Sequence, residues 1–187
     1  MAPGITQAAD NILPGTHLDA YIYGCTSGTV AIGNDKVTEL VQKARPGALV
    51  TNPVTAVLSA FDTLKVKKLS ILTPYEPAVS KEVVNFFQSQ GFEVLNAAGF
   101  GFSNDSEMTY ISPEDIKEAA VSLCHPDADV IFISCTALRA SLVLDEIEKA
   151  IGKPAVSSNQ ALVWHTLKLV KYNKPINGFG ALLSEHF

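Results

Sequence analysis

The chain has 187 residues, of which 47% are hydrophobic, enough to bury the core of one ordinary domain or two small lobes. Its net charge of −5, with no basic cluster larger than the lysines of 65–68, argues against nucleic acid as the main partner. No apolar run reaches the length of a membrane span, and the first residues lack the charged and apolar regions of a signal peptide.

Helical and strand patterns alternate along the sequence. In chain order we predict a helix over 5–13, a strand over 18–24, a helix over 37–44, a brief apolar stretch at 49–50, a helix from 52 to about 64, a strand over 68–72, a helix over 79–90, a strand over 93–97, a helix from 112 to about 124, a strand over 129–134, a helix over 142–151, a short strand over 155–157 and a helix over 159–170. Strands separated by helices indicate βαβ units and a mainly parallel sheet. The fold class is therefore predicted to be α/β.

The repeated pattern of a strand, a cysteine and a helix further predicts two similar lobes that meet at a cleft. We place the N-terminal lobe at residues 1–64 plus 157–187 and the second lobe at 65–156. Residues 99–109 have the composition of a loop, and a loop of this length could cover a site.

Two cysteines stand in near-identical tripeptides at the ends of apolar runs, Gly24-Cys25-Thr26 and Ser134-Cys135-Thr136. In open α/β proteins, ligands bind at the carboxyl ends of the strands. A helix that begins directly after a cysteine favours the anionic thiolate, which is the reactive form. We therefore expect two thiols to face one site. The alternative is that both are buried core residues, since free cysteine is often buried.

Other residues near these strand ends suit a small anionic ligand. Thr26 and Ser27 after the first cysteine, and Thr136 after the second, offer hydroxyls and close backbone approach to a carboxylate. Tyr75 ends another strand, where its phenol could contact a carboxylate or move a proton. The segment 157–160 reads as a helix cap, with Ser158 and Asn159 as capping residues.

The third cysteine has no such setting. Cys124 lies near a helix end and is interpreted as structural. An odd number of cysteines without a Cys-x-x-Cys spacing indicates free thiols rather than disulfides or a metal site, so we expect a cytoplasmic protein without a metal ion.

Four segments together resemble a known family. They are Tyr23–Thr29, Thr73–Tyr75, Ser134–Thr136 and Ser157–His165. Their ordered set looks like the maleate cis-trans isomerase group of the aspartate/glutamate racemase superfamily, closest to the ectoine-utilisation branch, with arylmalonate decarboxylase as a more distant relative. The resemblance covers about residues 18–172.

The resemblance implies two α/β lobes and no metal or organic cofactor. It implies that Cys25 adds to a double-bond carbon of the substrate, after which rotation about the new single bond leads to the trans product. Cys135 would assist as an acid or base, and Tyr75 would contact the substrate. A substrate-binding asparagine of the family corresponds to Asn104, although Asp105 aligns equally well.

The sequence departs from the family at its beginning. Family members start with a strand and a carboxylate-binding loop, and here the first strand is apparently missing. We expect the exposed strand edge to be covered by residues 1–13 or by a partner subunit, and a homo-oligomer is predicted.

Three functions remain open from the sequence. The first is a cofactor-independent isomerase of a small carboxylate. The second is a racemase or decarboxylase that transfers protons between two thiols. The third is a non-catalytic protein that binds a small acid. The partner in each case is a small carboxylate, without nucleic acid or membrane.

Overall fold

The computed structural model describes residues 2–187, in which helices and strands alternate. The strands are β1 Tyr21–Ile22, β2 Val50–Thr51, β3 Lys68–Tyr75, β4 Glu93–Phe102, β5 Val130–Ile133 and β6 Ala155–Ser157. The helices are α1 Ala2–Asn11, α2 Thr26–Ile32, α3 Asn34–Ala44, α4 Pro53–Thr63, α5 Pro77–Ser89, α6 Asp105–Met108, α7 Pro113–Leu123, α8 Leu144–Ile151, α9 Ser158–Leu169 and α10 Ala181–Glu185, with a 3₁₀ turn at Ala140–Leu142. Within these residues, none of the helices is both long and apolar enough to cross a membrane.

The strands form two parallel sheets. The larger has the order β4-β3-β5-β6, and the smaller contains β1 and β2. The predicted α/β class with parallel sheets is confirmed. The pairs β1–β2 and β5–β6 have the same order of elements. In each pair, the first strand is followed by a cysteine and then by helical segments that lead to the second, parallel strand.

A large apolar core holds the four-stranded sheet and the helices around it. At its centre, the rings of Phe61, Phe87 and Phe132 lie 5.2–5.9 Å apart in tilted or edge-on arrangements that favour aromatic attraction. Because Phe61 belongs to α4, that helix shares the core of the second predicted lobe. The lobe boundaries 1–64 plus 157–187 and 65–156 stay a prediction.

A second, smaller core supports β1. Ile5 and Ala9 of α1 pack with Tyr21, Val37 and Val41. All the ladder hydrogen bonds of β1 run to β2, and within residues 2–187 no strand pairs along its other edge. Helix α1 packs chiefly against α3, and Ile22 stays 51% exposed. Coverage of this edge therefore stays a prediction.

Local signals in the sequence placed several helix ends correctly. Asn52 caps α4, since its side chain accepts a hydrogen bond from the Thr55 N–H at 2.8 Å, and Pro53 takes the first helical position. The expected loop over 99–109 is wrong in its first part. Strand β4 runs to Phe102, because its backbone pairs with β3 up to Tyr75, and α6 follows.

Candidate active site

Cys25 and Cys135 each follow a strand at its carboxyl end. Cys25 comes three residues after β1 and is the N-cap of α2, while Cys135 comes two residues after β5. The backbone of Cys135 has a φ of 96°, a left-handed value that non-glycine residues seldom adopt. Its N–H donates to Ser158 Oγ at 3.1 Å, a bond that helps to hold this conformation.

Both sulfurs line one open cavity of about 360 Å³. Its walls are formed by Gly24, Cys25, Thr26, Ser27, Tyr75, Asp105, Ser106, Thr109, Cys135, Thr136 and Ala137. The structure thus brings together Cys25, Cys135 and four of the five residues expected to bind substrate, namely Thr26, Ser27, Tyr75 and Thr136. A cavity of this size suits a small organic acid.

The surroundings of Cys25 leave its sulfur accessible from the cavity. The residue is half-buried, and its Sγ accepts a hydrogen bond from the Gly28 N–H at 3.3 Å and lies 3.8 Å from Ser27 Oγ. Glycine is required at 28 by close approach, because a Cβ there would lie 2.6 Å from Tyr23 Oη and 3.0 Å from Cys25 Sγ. These contacts fix the sulfur at the cavity wall.

The surroundings of Cys135 keep its thiol protonated at neutral pH. Burial raises the pKa of Cys135, and hydrogen bonds from Tyr75 and from the Ala137 N–H at 3.3 Å oppose this only in part. The Asp105 carboxylate raises this pKa further through its negative charge, and the Cys25 sulfur acts in the same direction. Cys135 is therefore placed to donate a proton into the cavity.

Tyr75 is a buried residue that lines the same cavity as the two cysteines. Burial, followed by the charge of the nearby Cys135 sulfur, raises the pKa of its phenol, and the Ser134 and Ser27 hydroxyls oppose this in part. The Ser134 hydroxyl is fully buried and has no hydrogen-bond partner within residues 2–187. Tyr75 remains a neutral hydrogen-bond donor at physiological pH.

Two threonines link the segments that carry the two cysteines. Thr26 donates to Ser158 Oγ at 3.0 Å, the same oxygen that accepts the Cys135 N–H. Thr136 donates to the carbonyl of Gly24, the residue before Cys25, at 2.7 Å. Thr26 is 1% exposed. Its donor is occupied by the fold, and only its acceptor capacity remains for a ligand.

Asn104 and Asp105 differ in where they lie. The Asn104 side chain caps α6 by accepting from the Ser106 N–H at 2.9 Å, and it does not line the thiol cavity. Asp105 is the residue of this pair that does. The Asn104 side-chain oxygen is thus engaged at the helix end, outside the cavity lining, and its contact with substrate stays a prediction.

Sequence reasoning also misread the segment after β6. Ser157, not Ser158 or Asn159, caps α9 through a reciprocal pair of bonds with Gln160. Ser158 instead accepts the Cys135 N–H, and Asn159 donates to the Thr136 and Leu138 carbonyls at 3.0 and 3.1 Å. In a capping box, Ser or Thr occupies the cap position and Glu or Gln follows three residues later. Ser157 and Gln160 have this spacing, so the sequence contained the signal for the cap.

A family model described as arylmalonate decarboxylase matches residues 30–183, most of the chain. The chain belongs to the arylmalonate decarboxylase family. This places it in the aspartate/glutamate racemase-like superfamily, as the resemblance indicated. The ectoine-utilisation branch is not distinguished by the comparisons and stays a prediction.

Named relatives agree with this membership. Maleate isomerase of Alcaligenes faecalis is 29% identical over 137 residues, which cover 71% of this chain and 54% of that protein. Maleate isomerase of Pseudomonas putida KT2440 is 24% identical over 175 residues, covering 89% of this chain and 70% of that protein. The chain thus spans about half the length of the first of these relatives.

A solved structure shows the same fold. It is a cysteine-to-serine mutant of Nocardia farcinica maleate cis-trans isomerase with a covalently bound succinylcysteine intermediate. The two structures superpose with a TM-score of 0.87 at 20% identity, over 100% of this chain and 77% of that one.

Proposed function

We propose that the chain is a cofactor-independent cis-trans isomerase of a small carboxylate, with Cys25 as the nucleophile. The observation that carries this proposal is the placement of Cys25 and a protonated Cys135 on the walls of one small cavity. The relatives named maleate isomerase support the reaction type, and the succinylcysteine in the Nocardia structure supports a covalent route.

The proposed reaction begins with addition to the double bond. The Cys25 thiolate forms a C–S bond to one alkene carbon, and the π electron pair moves to the other alkene carbon, beside an electron-withdrawing carbonyl group. The Cys135 thiol supplies a proton to that carbon. Rotation about the resulting single bond brings the chain into the trans arrangement.

Release reverses these steps. The Cys135 thiolate removes the proton, the electron pair re-forms the double bond, and the Cys25 thiolate leaves as the C–S bond breaks. Atoms and electrons balance, and both thiols return to their starting states. Tyr75 and Ser27 are proposed to donate hydrogen bonds to a substrate carboxylate. Thr26 and Thr136, whose hydroxyls donate within the fold, are proposed to position the loops beside the two cysteines.

Several wider assignments belong to the same proposal. We propose that maleate-like acids are the substrates and that the protein works in the cytoplasm, where three free thiols stay reduced. A homo-oligomer is supported by the open edge of β1, which offers unpaired backbone groups to a second chain.

The experiment that tests the function is proton NMR of the 187-residue chain with maleate in heavy water. We expect the vinyl signal of maleate to be replaced by that of fumarate in proportion to enzyme concentration. If a saturated carboxylate instead exchanges its α-hydrogen with solvent while maleate stays unchanged, the two-thiol racemase or decarboxylase route replaces this proposal. If neither change occurs, the chain has neither activity.

The pH dependence of turnover should report the state of Cys135. Burial raises its pKa above the ordinary 9.0, so the thiol keeps its proton through neutral pH and loses it only under more alkaline conditions. We expect kcat to fall at alkaline pH, above the ordinary thiol value, as Cys135 loses its proton. Initial rates in overlapping buffers measure this, and a decline that begins below pH 8 would contradict the assigned acid.

A further inference from the structure

The thiol cavity carries one charged side chain. Among its lining residues, Asp105 is the only acidic one, and no lysine, arginine or histidine is present among those that the structure describes. Hydroxyls, backbone groups, thiols and the Tyr75 phenol form the rest of the wall. The cavity therefore offers hydrogen-bond donors to a carboxylate without any cation to neutralise a second one.

Asp105 is not neutralised elsewhere. It occupies the first position of α6, and none of the ion pairs within residues 2–187 involves it. Asp105 is solvent-exposed and lines the same small cavity as Cys135, and its charge raises the pKa of the Cys135 thiol. A ligand in this cavity therefore lies within reach of the Asp105 carboxylate.

The two ends of a cis-butenedioic acid derivative would have different surroundings in this cavity. One carboxylate can accept hydrogen bonds from Tyr75 or Ser27. A second carboxylate near Asp105 would meet a like charge, whereas an amide there would donate an N–H hydrogen bond to it. An amide also keeps the conjugated carbonyl that accepts the electron pair during thiolate addition, which an ammonium group would not do.

We infer that the cavity selects a cis-alkenoic acid with one carboxylate and one uncharged amide, such as maleamate, over the dicarboxylate maleate. This inference rests on the proposed isomerase function. Asp105 acts in it as a specificity-determining residue, while Tyr75 and Ser27 bind the one carboxylate.

The test compares kcat/KM for maleamate and maleate in three proteins. They are the wild type, Asp105→Asn, and the matched control Glu107→Gln, which removes a neighbouring carboxylate of α6 that lies outside the thiol cavity. We expect the wild type to prefer maleamate by about tenfold, a modest ratio because Asp105 is exposed and screened. Asp105→Asn should raise kcat/KM for maleate by about fivefold, and Glu107→Gln should change neither value by more than about twofold.

Ionic strength supplies a readout that a structural effect would not mimic. Added salt should raise kcat/KM for maleate in the wild type, because it screens the repulsion from Asp105, and should have little effect in Asp105→Asn. Equal rates for the two acids in the wild type, or no gain for maleate in Asp105→Asn, would overturn the inference.

A binding measurement separates this inference from the proposed function. Succinate and succinamate lack the double bond and cannot react, so their protection of Cys25 against iodoacetamide reports occupancy of the cavity alone. We expect succinamate to protect at about tenfold lower concentration. If neither unsaturated acid is isomerised, the proposed function fails. Stronger protection by succinate, or equal protection, overturns the charge selectivity whatever the turnover.

Discussion

Cys25→Ser should lower the isomerisation rate by roughly a thousandfold or more, because a hydroxyl is far less ionised than a thiol and adds poorly to an alkene. Serine also fits the position, since it can cap α2 and accept the Gly28 N–H as the sulfur does. The loss should therefore appear in kcat with little change in folding. Initial rates from NMR, together with circular dichroism of both proteins, measure the two quantities.

Cys124→Ser is the matched control for this substitution. Cys124 lies at the C-terminal end of α7, where its sulfur faces the His125 carbonyl at 3.9 Å, and it does not line the thiol cavity. We expect its activity to stay within about twofold of the wild type. If Cys25→Ser retains a tenth of wild-type activity, Cys25 is not the nucleophile and the covalent route is wrong.

Cys135→Ser should lower turnover by about 100- to 1000-fold. The serine hydroxyl can still accept the Ala137 N–H, but it gives up its proton much less readily than a thiol and cannot take the same proton back at neutral pH. Both protonation and release slow, so kcat should fall far more than KM rises. Steady-state kinetics at several substrate concentrations separate these two constants.

The pH dependence of kcat provides the second readout for Cys135. In the wild type, the fall of kcat at alkaline pH (the alkaline limb of the pH profile) follows the raised pKa of Cys135. In Cys135→Ser the remaining rate should no longer fall there, because no group with that pKa takes part. An unchanged limb would assign it to another group, and wild-type kcat in this variant would remove Cys135 from the proton path.

The sequence was most informative where two local signals agree. Asn52 suits a helix cap and Pro53 the first helical position, and α4 begins there. The two apolar runs that end in Cys-Thr were also informative, because ligand sites lie at the carboxyl ends of parallel strands, although the first run forms only the two-residue strand β1. Both thiols accordingly reach one cavity.

Strand β4 shows where composition misleads. The segment from Gly99 to Phe102 is rich in glycine, which normally indicates a loop. Gly99 pairs with Thr73 in the ladder, and a Cβ there would lie 2.7 Å from the Tyr75 carbonyl, so glycine is needed for the strand to approach. Close approach between chain segments distant in sequence is not visible in local composition.

The roles of the polar residues at the site were harder to predict from the sequence. Asn104 and Asp105 are neighbours, and only the start of α6 decides that the first caps the helix while the second lines the cavity. Likewise, Ser158 supports Cys135 because α9 begins one residue earlier than expected. A shift of one residue at a helix start thus exchanges structural and functional roles.

The central claim, covalent addition by Cys25, is tested most directly by trapping the adduct. Cys135→Ser is incubated with a high concentration of maleate, digested and analysed by mass spectrometry, with Cys25→Ser and denatured protein treated in parallel. We expect a mass increase equal to one substrate molecule on the peptide that contains Cys25, formed faster than in denatured protein, and none on the peptide that contains Cys124. Fumarate formation by the wild type, with Cys25 unmodified in every sample of Cys135→Ser or modified no faster than in denatured protein, would contradict the account.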